Sequence, residues 1–520
     1  MTLKIKHHKN KFLILILFFF SITINQYYGN LGTFPMDSFH FFDSGFRVLN
    51  GETPFADYWL VKGPLLDYIQ ATFFYLFGIN WQAYVLHASV FNAIITISTF
   101  VVLKNFKLKI EYCFLYSLLL SILAYPSSGT PFIDHHSSFF SLLGIYSLLL
   151  AINNKTLYHW ILAPMLFGLA FLSKQVPAAY IILTSSFILL LYSYERKKIK
   201  YIQYLSIGTF LFIFLILIFG KSQNITLSSF LDQMIFYPQT IGLSRFSNLS
   251  LSFSVIEKFI FIFISISFLL YINIKNIFII KNYKNNKEFF FFLILFTFLV
   301  SLVFHQLLTK NQTFIFFLIP IFTAFSHISI EKNKVKYKKI IFCILISCCL
   351  FSTYKYHLRY NEGRKFHELK NINFNLSIDA KKIDQKLTGL KWITPQYANN
   401  PQEEINFINN TTFILKKDKS KKMLITNYPF FSTILGYSIF SPSRIYTGDG
   451  TTHPLKSNKY FKVYEKLMKN IIFKNNIKTI YVITAKNDNI NFHYIDVYKN
   501  CYTETNLSLK LTKYDLTKCY

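Results

Sequence analysis

Residues 35–66 read Pro35-Met36-Asp37-Ser38-Phe39-His40-Phe41-Phe42-Asp43-Ser44-Gly45-Phe46-Arg47-Val48-Leu49-Asn50-Gly51-Glu52-Thr53-Pro54-Phe55-Ala56-Asp57-Tyr58-Trp59-Leu60-Val61-Lys62-Gly63-Pro64-Leu65-Leu66. An apolar run from Phe12 to about Tyr27 precedes this stretch, and many more apolar runs follow it. The stretch carries Asp37, Asp43, Glu52 and Asp57, four of only 25 acidic residues in the chain, together with Arg47 and Lys62. Charges packed between membrane spans are costly unless they face water or a site, so a functional reading is the starting hypothesis for this loop.

Outward from the loop, the composition fits a membrane protein. Of 520 residues, 52% are hydrophobic and 19% aromatic. A spanning helix needs roughly 17–25 mostly apolar residues. Segments near that length recur at 12–28, 82–103, 112–127, 137–153, 159–173, 177–193, 204–220, 257–274, 289–304, 312–329 and 340–354. We therefore expect an α-helical polytopic membrane protein with about 11 transmembrane helices. The first span lacks a small-residue cleavage site, since Asn25-Gln26-Tyr27-Tyr28 follows its core, so it reads as a retained helix.

The formal charge of +30 would point to nucleic acid in a soluble chain. Its distribution excludes that partner. Lys and Arg gather in alternate loops, for example Lys4, Lys6, Lys9 and Lys11, then Lys104, Lys107 and Lys109, then Arg196, Lys197, Lys198 and Lys200, then Lys336, Lys338 and Lys339. The other loops hold only Arg47, Lys62, Lys174, Lys221, Arg245 and Lys310. This is the positive-inside pattern. It places the N-terminus in the cytoplasm, and loops 29–80, 128–136, 174–176, 221–256 and 305–311 outside. An odd number of spans puts residues 355–520 outside as well.

Two units follow: a membrane domain, 1–354, and an extracytoplasmic soluble domain, 355–520. In the second, Met423-Leu424-Ile425-Thr426 and Thr479 to Thr484 read as buried strands, Asn400 to Ile408 as a helix opened by Pro401, and Tyr464 to Phe473 as an amphipathic helix. Such alternation suits a small α/β fold. Of six cysteines, Cys113, Cys343, Cys348 and Cys349 lie in spans and form no metal pattern. Cys501 and Cys519 lie in the tail, where an oxidising compartment would pair them; Leu507 to Leu511 reads as a strand and Lys513-Tyr514-Asp515 as the reversal.

Within the opening loop, Phe39, Phe42, Phe46 and Leu49 fall on one helical stripe. Asp37 or Ser38 can cap that helix and Asn50-Gly51 can stop it. The expectation is an interfacial helix on the outer membrane surface. A turn follows at Thr53-Pro54, and Gly63-Pro64 opens a second helix.

With these residues in view, the chain resembles the GT-C superfamily of membrane glycosyltransferases, in the branch that holds protein O-mannosyltransferases and lipid A aminoarabinose transferases. Those enzymes carry an Asp-Glu pair just after the first span, where this chain has Asp37-Ser38. Bacterial members often continue with Gly-Arg-x-Leu-x-Gly-x-x-Pro-Tyr-x-Asp and then Gly-Pro-Leu. The match here runs from Gly45 through Arg47, Leu49, Gly51, Pro54 and Phe55 to Asp57, then Gly63-Pro64-Leu65. Leu172-Ser173-Lys174-Gln175 resembles the Lys-containing turn between two later spans. The resemblance covers roughly the membrane domain. It implies transfer of a sugar from a polyprenyl-phosphate to a hydroxyl outside a bacterial inner (plasma) membrane, with inversion at the sugar. The acceptor is a lipid, glycan or protein, and membrane lipids surround the enzyme.

Such a displacement needs a base, and a carboxylate suits it because it also stabilises positive charge developing on the sugar. Asp37 is the candidate catalytic base, by position and by resemblance; its structural alternative is a helix N-cap. Asp57 is a candidate for substrate binding, against a plain turn role. Asp43 and Glu52 read as surface residues. The leaving phosphate needs cations, and Lys62, Lys174 and Arg47 are the sparse external ones, with Gln175 in the same turn as Lys174. Asp134-His135-His136 follows the third span, and polar lining of the site fits it better than a metal, since neighbouring histidines on a helix point apart. His305 and Gln306 begin the loop ending at Lys310-Asn311-Gln312 and are placed to meet sugar or phosphate. No cofactor is required by these residues, and a divalent metal stays open. No Gly-rich phosphate loop is present. The alternatives are a surface-polysaccharide polymerase or ligase, in which a large late basic loop would be expected, and a lipid-linked sugar flippase or transporter, in which similar halves and mid-span charges would be expected.

Overall fold

The computed structural model describes residues 2–247, 249, 257–280, 287–309, 315–333, 335–484, 495, 498 and 501–519, with side chains from residue 9 and outside 276–280. The chain is an α-helical polytopic membrane protein with a C-terminal α/β domain. Helix α1 (Thr2–Gly29) leads into three helices of the opening loop: α2 (Pro35–Ser38), α3 (His40–Leu49) and α4 (Pro64–Phe77). Then follow α5 (Trp81–Asn105), α6 (Ile110–Leu123), α7 (Ile133–Asn154), α8 (Tyr158–Ser173), α9 (Gln175–Glu195) and α10 (Lys200–Ser222). Two short helices, α11 (Leu227–Leu231) and α12 (Tyr237–Ser247), return the chain to apolar helices at Ile260–Ile280, Lys287–Thr309, Leu318–Lys332 and Lys338–Tyr356.

Among the described residues, eleven apolar helices fall on the apolar runs, the one expected at 312–329 starting at Leu318. Among the described residues, nine are long and apolar enough to cross a membrane. The two exceptions, α8 with 16 residues and Leu318–Lys332 with 15, are shorter than a straight crossing needs. In the second, every residue from Leu318 to Ile330 is buried, so it fills the bundle interior and meets little lipid. Leu120, Leu142, Leu148, Ile294 and Phe322 are among the fully buried residues of the core.

The opening loop departs from the surface-helix expectation. Helix α3 has the expected apolar stripe and stops at Asn50, with Gly51 at φ +89°. Yet every residue from His40 to Arg47 is buried. The reason lies far along the chain. Phe39 packs on Trp81 at 4.9 Å, on Phe430 at 4.8 Å and on Trp392 at 5.8 Å between ring centroids. The helix is held between the span ends and the C-terminal domain. Nor is Asp37 a cap: it sits inside α2, and neither α2 nor α3 has a side-chain cap. Ser38 instead takes the Phe34 N–H at 3.0 Å and meets His367 Nδ1 at 3.1 Å.

The C-terminal domain is a two-stranded ribbon, β1 (Ile378–Asp379) with β2 (Lys391–Trp392), and a four-stranded sheet of β3 (Lys422–Thr426), β4 (Thr479–Ile483), β5 (Thr503–Ser508) and β6 (Leu511–Asp515). The sheet order is β3-β4-β6-β5. β3 and β4 run parallel, with Lys422 opposite Thr479, joined through the amphipathic helix Phe461–Asn475. That helix buries Tyr464, Met468, Ile471 and Ile472 against Met423, Ile425, Ile480 and Val482. Strand β6 is antiparallel to both β4 and β5. The tail reversal falls at Leu509-Lys510, and Lys513 to Asp515 are strand, which corrects the expected turn. Cys501 and Cys519 are bridged, with Cα atoms 5.0 Å apart.

Candidate active site

Gly63 explains how distant residues meet. Its left-handed backbone (φ +77°) caps α4, with Pro64 in the first turn. A Cβ there would stand 2.7 Å from Ile133 Cγ2 and 3.3 Å from the Ser173 carbonyl oxygen. The absent side chain therefore lets the loop carrying Lys62 close on the start of α7 and the end of α8. Lys62, Asp134 and Lys174 converge for that reason.

Lys174 lies between α8 and α9, and its Nζ donates to Asp134 Oδ1 at 2.6 Å. His305, near the end of Lys287–Thr309, places Nε2 3.1 Å from the same oxygen and 3.4 Å from Lys174 Nζ. Ser137 Oγ fixes the turn by donating to the Lys174 carbonyl at 3.1 Å. Gln175 Nε2 donates to the Val61 carbonyl at 2.6 Å and the Met234 carbonyl at 2.7 Å, tying the Lys62 loop to the segment ahead of α12. Gln233 holds the same loop by accepting from Leu60 N at 2.8 Å and donating to the Phe55 carbonyl at 2.9 Å.

These elements enclose a cavity of about 190 Å³. Lys62, Lys174 and Arg245 give it a cationic side, with His305 beside them. Val176, Pro238, Ile241, Phe246 and Leu308 give it an apolar one. Thr451 of the C-terminal domain also lines it. Burial draws Lys62 down to about 8; repulsion from Lys174 and Arg245 adds to the fall, and attraction to Asp134 and Asp37 opposes it. Asp37 lies beside the cavity without lining it. Asp37 is half-buried, and desolvation pushes its carboxyl up to about 6 against the pull of Lys62, with Glu368 and Asp134 adding to the rise. Ser38 stands where the GT-C pair has Glu, but the second carboxylate felt by Asp37 comes through space from Asp134 and Glu368.

Other expected residues lie elsewhere. Asp57 Oδ2 accepts the Thr53 N–H at 2.8 Å, and Oδ1 stands 3.9 Å from Lys474 Nζ, so it holds the Thr53-Pro54 turn. Arg47 is buried, pairs with Glu52 Oε2 at 2.6 Å, lies 4.3 Å over the Tyr58 ring and donates to the Ser441 carbonyl at 2.8 Å. His135 meets Ser127 Oγ at 3.2 Å and stacks on Tyr125. His136 turns instead to His87, at 3.0 Å between Nε2 atoms. Among the described residues no group of three His, Cys, Asp or Glu side chains is arranged to hold a metal. Lys310, Asn311 and Gln312 lie outside the described residues.

Three residues that sequence reasoning did not single out matter here: Arg245 in the cavity wall, Asp67 and Arg444. Arg444 reaches from the C-terminal domain to donate to the Lys62 carbonyl at 3.0 Å and the Gly63 carbonyl at 3.1 Å, and it pairs with fully buried Asp67. Asp67 also accepts from Ser44 Oγ at 2.6 Å and Tyr58 OH at 2.8 Å. One sequence signal was available. The chain has only six arginines among 55 basic residues, and Arg47, Arg364 and Arg444 are all buried. In so Lys-rich a chain, Arg marks places where a planar fork of donors is needed.

Residues 61–219, less than half of the chain, match the family described as dolichyl-phosphate-mannose-protein mannosyltransferase. No curated protein matches the chain in sequence. Among solved structures, ArnT from Cupriavidus metallidurans bound to undecaprenyl phosphate aligns at 9% identity and a TM-score of 0.46, covering 97% of each chain. The same protein in the apo state aligns at 10% identity and a TM-score of 0.43, covering 100% of this chain and 99% of the other. The segment matched by the family holds Lys62, Asp134 and Lys174.

Proposed function

We propose that this protein transfers a sugar from a polyprenyl-phosphate donor to an acceptor hydroxyl on the extracytoplasmic side of the membrane. The observation that carries this reading is the cavity itself, which sets Lys62, Lys174 and Arg245 against an apolar wall. A phosphate bearing a long hydrocarbon chain needs both surfaces at once. The family matched by residues 61–219 is named for a donor of that kind, a dolichyl-phosphate sugar.

In this reading Asp37 removes the proton from the acceptor hydroxyl as its oxygen bonds to the anomeric carbon. The bond from that carbon to the phosphate oxygen breaks, and its electron pair leaves with the polyprenyl phosphate. Lys62, Lys174 and Arg245 stabilise the charge gathered there. Asp134 orients Lys174 through the 2.6 Å contact and, with His305, fixes the cationic side of the cavity. The Asp134 carboxylate beside Lys174 offsets part of the positive charge of the cavity, which favours release of the product phosphate.

The test is mass spectrometry of envelope glycolipids and glycoproteins from cells with and without the protein. Loss of one sugar substituent, restored by the wild-type gene and not by Asp37→Asn, is the expected result. Unchanged glycans together with accumulated sugar-lipid on the cytoplasmic leaflet would favour the flippase alternative.

A further inference from the structure

A second cavity, of about 350 Å³, lies where the helix Lys338–Tyr356 ends and the helices starting at Ile260 and Leu318 begin. Alternation of the spans puts these ends on the same face as His305 and Lys174. The two cavities share no lining residue.

Its floor is aromatic. Phe316 stacks on Tyr356 at 3.8 Å and on Tyr360 at 5.5 Å between centroids, and all three are buried. Its rim carries Lys258, Lys355 and Arg359 against a single carboxylate, Glu257. Lys355 Nζ is held 4.8 Å over the Phe261 ring, and the Arg359 guanidinium 5.3 Å over Tyr360. Among the described residues none of these three cations forms an ion pair. Toward the lipid side the surface stays apolar: Ile260, Phe351 and Tyr354 are 49%, 57% and 62% exposed. A lysine that only snorkels needs no cavity and no aromatic floor. Three cations converging on one cavity, at the level where a membrane meets water and beside exposed apolar side chains, match a lipid that ends in a phosphate.

We propose that this cavity binds the phosphate headgroup of an anionic membrane phospholipid, with the acyl chains lying along Phe261 and Phe351. The inference stands apart from the catalytic reading and does not need it.

The test uses the purified full-length protein in nanodiscs and detergent. Native mass spectrometry should show phosphatidylglycerol retained in preference to phosphatidylcholine. The triple variant Lys258→Gln, Lys355→Gln, Arg359→Gln should weaken that retention roughly a hundredfold, given the attraction of each cation for anionic lipid. Glu257→Gln should strengthen it, which guards against mistaking a misfolded triple variant for a lost site. Lys62→Met should leave it unchanged. Equal retention of the two lipids, an unaffected triple variant, or loss of the lipid in Lys62→Met would each overturn the proposal. Displacement of the lipid by millimolar inorganic phosphate would overturn it too, by showing a free-phosphate site with no use for the acyl chains.

Discussion

Two sets of paired charges lie within the same opening loop and its neighbours, and they are built differently. In one, Asp67 is fully buried and takes donors from Arg444, Ser44 and Tyr58, while Arg47 is matched by Glu52 and the Ser441 carbonyl. Each pair joins the membrane domain to residues 441–444, and neither Asp67 nor Arg47 lines the cavity of Lys62 and Lys174. In the other, Lys174 and His305 meet on Asp134, both Lys174 and Lys62 keep partial exposure, and Lys62, Lys174 and His305 face an open cavity. The same residue types hold the fold in the first set and are poised toward a ligand in the second. What separates them is the presence of unfilled space beside unsatisfied charge, and a sequence alone does not display that.

The sharpest way to break this comparison is to remove charge without changing shape. Asp37→Asn should lower transfer by roughly 10²–10⁴, the usual contribution of a general base. Because Asp37 caps no helix, its thermal unfolding should match wild type. Near-normal transfer in a glycan readout would remove Asp37 from the reaction.

The buried set should respond in the opposite sense. Arg444→Gln removes the cation that pairs with fully buried Asp67, a change that costs about 3–5 kcal/mol. Unfolding by heat or denaturant should register that loss in detergent, with impaired transfer following from the lost anchor on Lys62 and Gly63. A variant as stable as wild type would show that the C-terminal domain is not clasped there.

The pH profile of transfer sharpens the assignment. Asp37 acts only when ionised, so activity should rise as pH passes about 6. Lys62 holds phosphate only when protonated, so activity should fall as pH passes about 8. Asp43 is also pushed up to about 6 by burial, against the pull of Arg47, but it lies against Thr433 rather than the cavity. Asp43→Asn should therefore keep the rising limb, and its disappearance would move the base from Asp37 to Asp43.

The smallest effect belongs to Asp57. Asn can still accept the Thr53 N–H, so Asp57→Asn should change stability by no more than about 0.5 kcal/mol and leave transfer close to wild type. A large loss of transfer with intact folding would place Asp57 at the substrate after all.

Much of the fold was legible because apolar length carries it. Among the described residues, eleven helices stand on runs such as 82–103 and 204–220, and the strands at Met423 and Thr479 follow from short β-branched runs between polar turns. Lys62, Lys174, Asp134 and His305 were legible as rare charges at span ends, and they meet in one place. The burial of α3 was not legible, because its partners Trp392 and Phe430 lie more than three hundred residues away and no local pattern names them. Asp67 and Arg444 were hidden for the same reason, each being unremarkable until the other is placed beside it. Asp57 and Arg47 matched a motif, but a motif preserves turn-forming and clasping residues along with those that touch substrate.

A lipid phosphate in the cavity of Lys62, Lys174 and Arg245 is what the proposed reaction needs first. The direct measurement is equilibrium binding of a polyprenyl phosphate and of the matching phosphate-free polyprenol to the purified protein, in wild type and in Lys62→Met and Lys174→Met. The phosphate should bind wild type at least about tenfold more tightly than the alcohol, since charge-assisted contacts to phosphate are each worth about 1.5–3 kcal/mol, and each variant should narrow that gap. Equal binding of phosphate and alcohol, or a gap untouched by both variants, would contradict it.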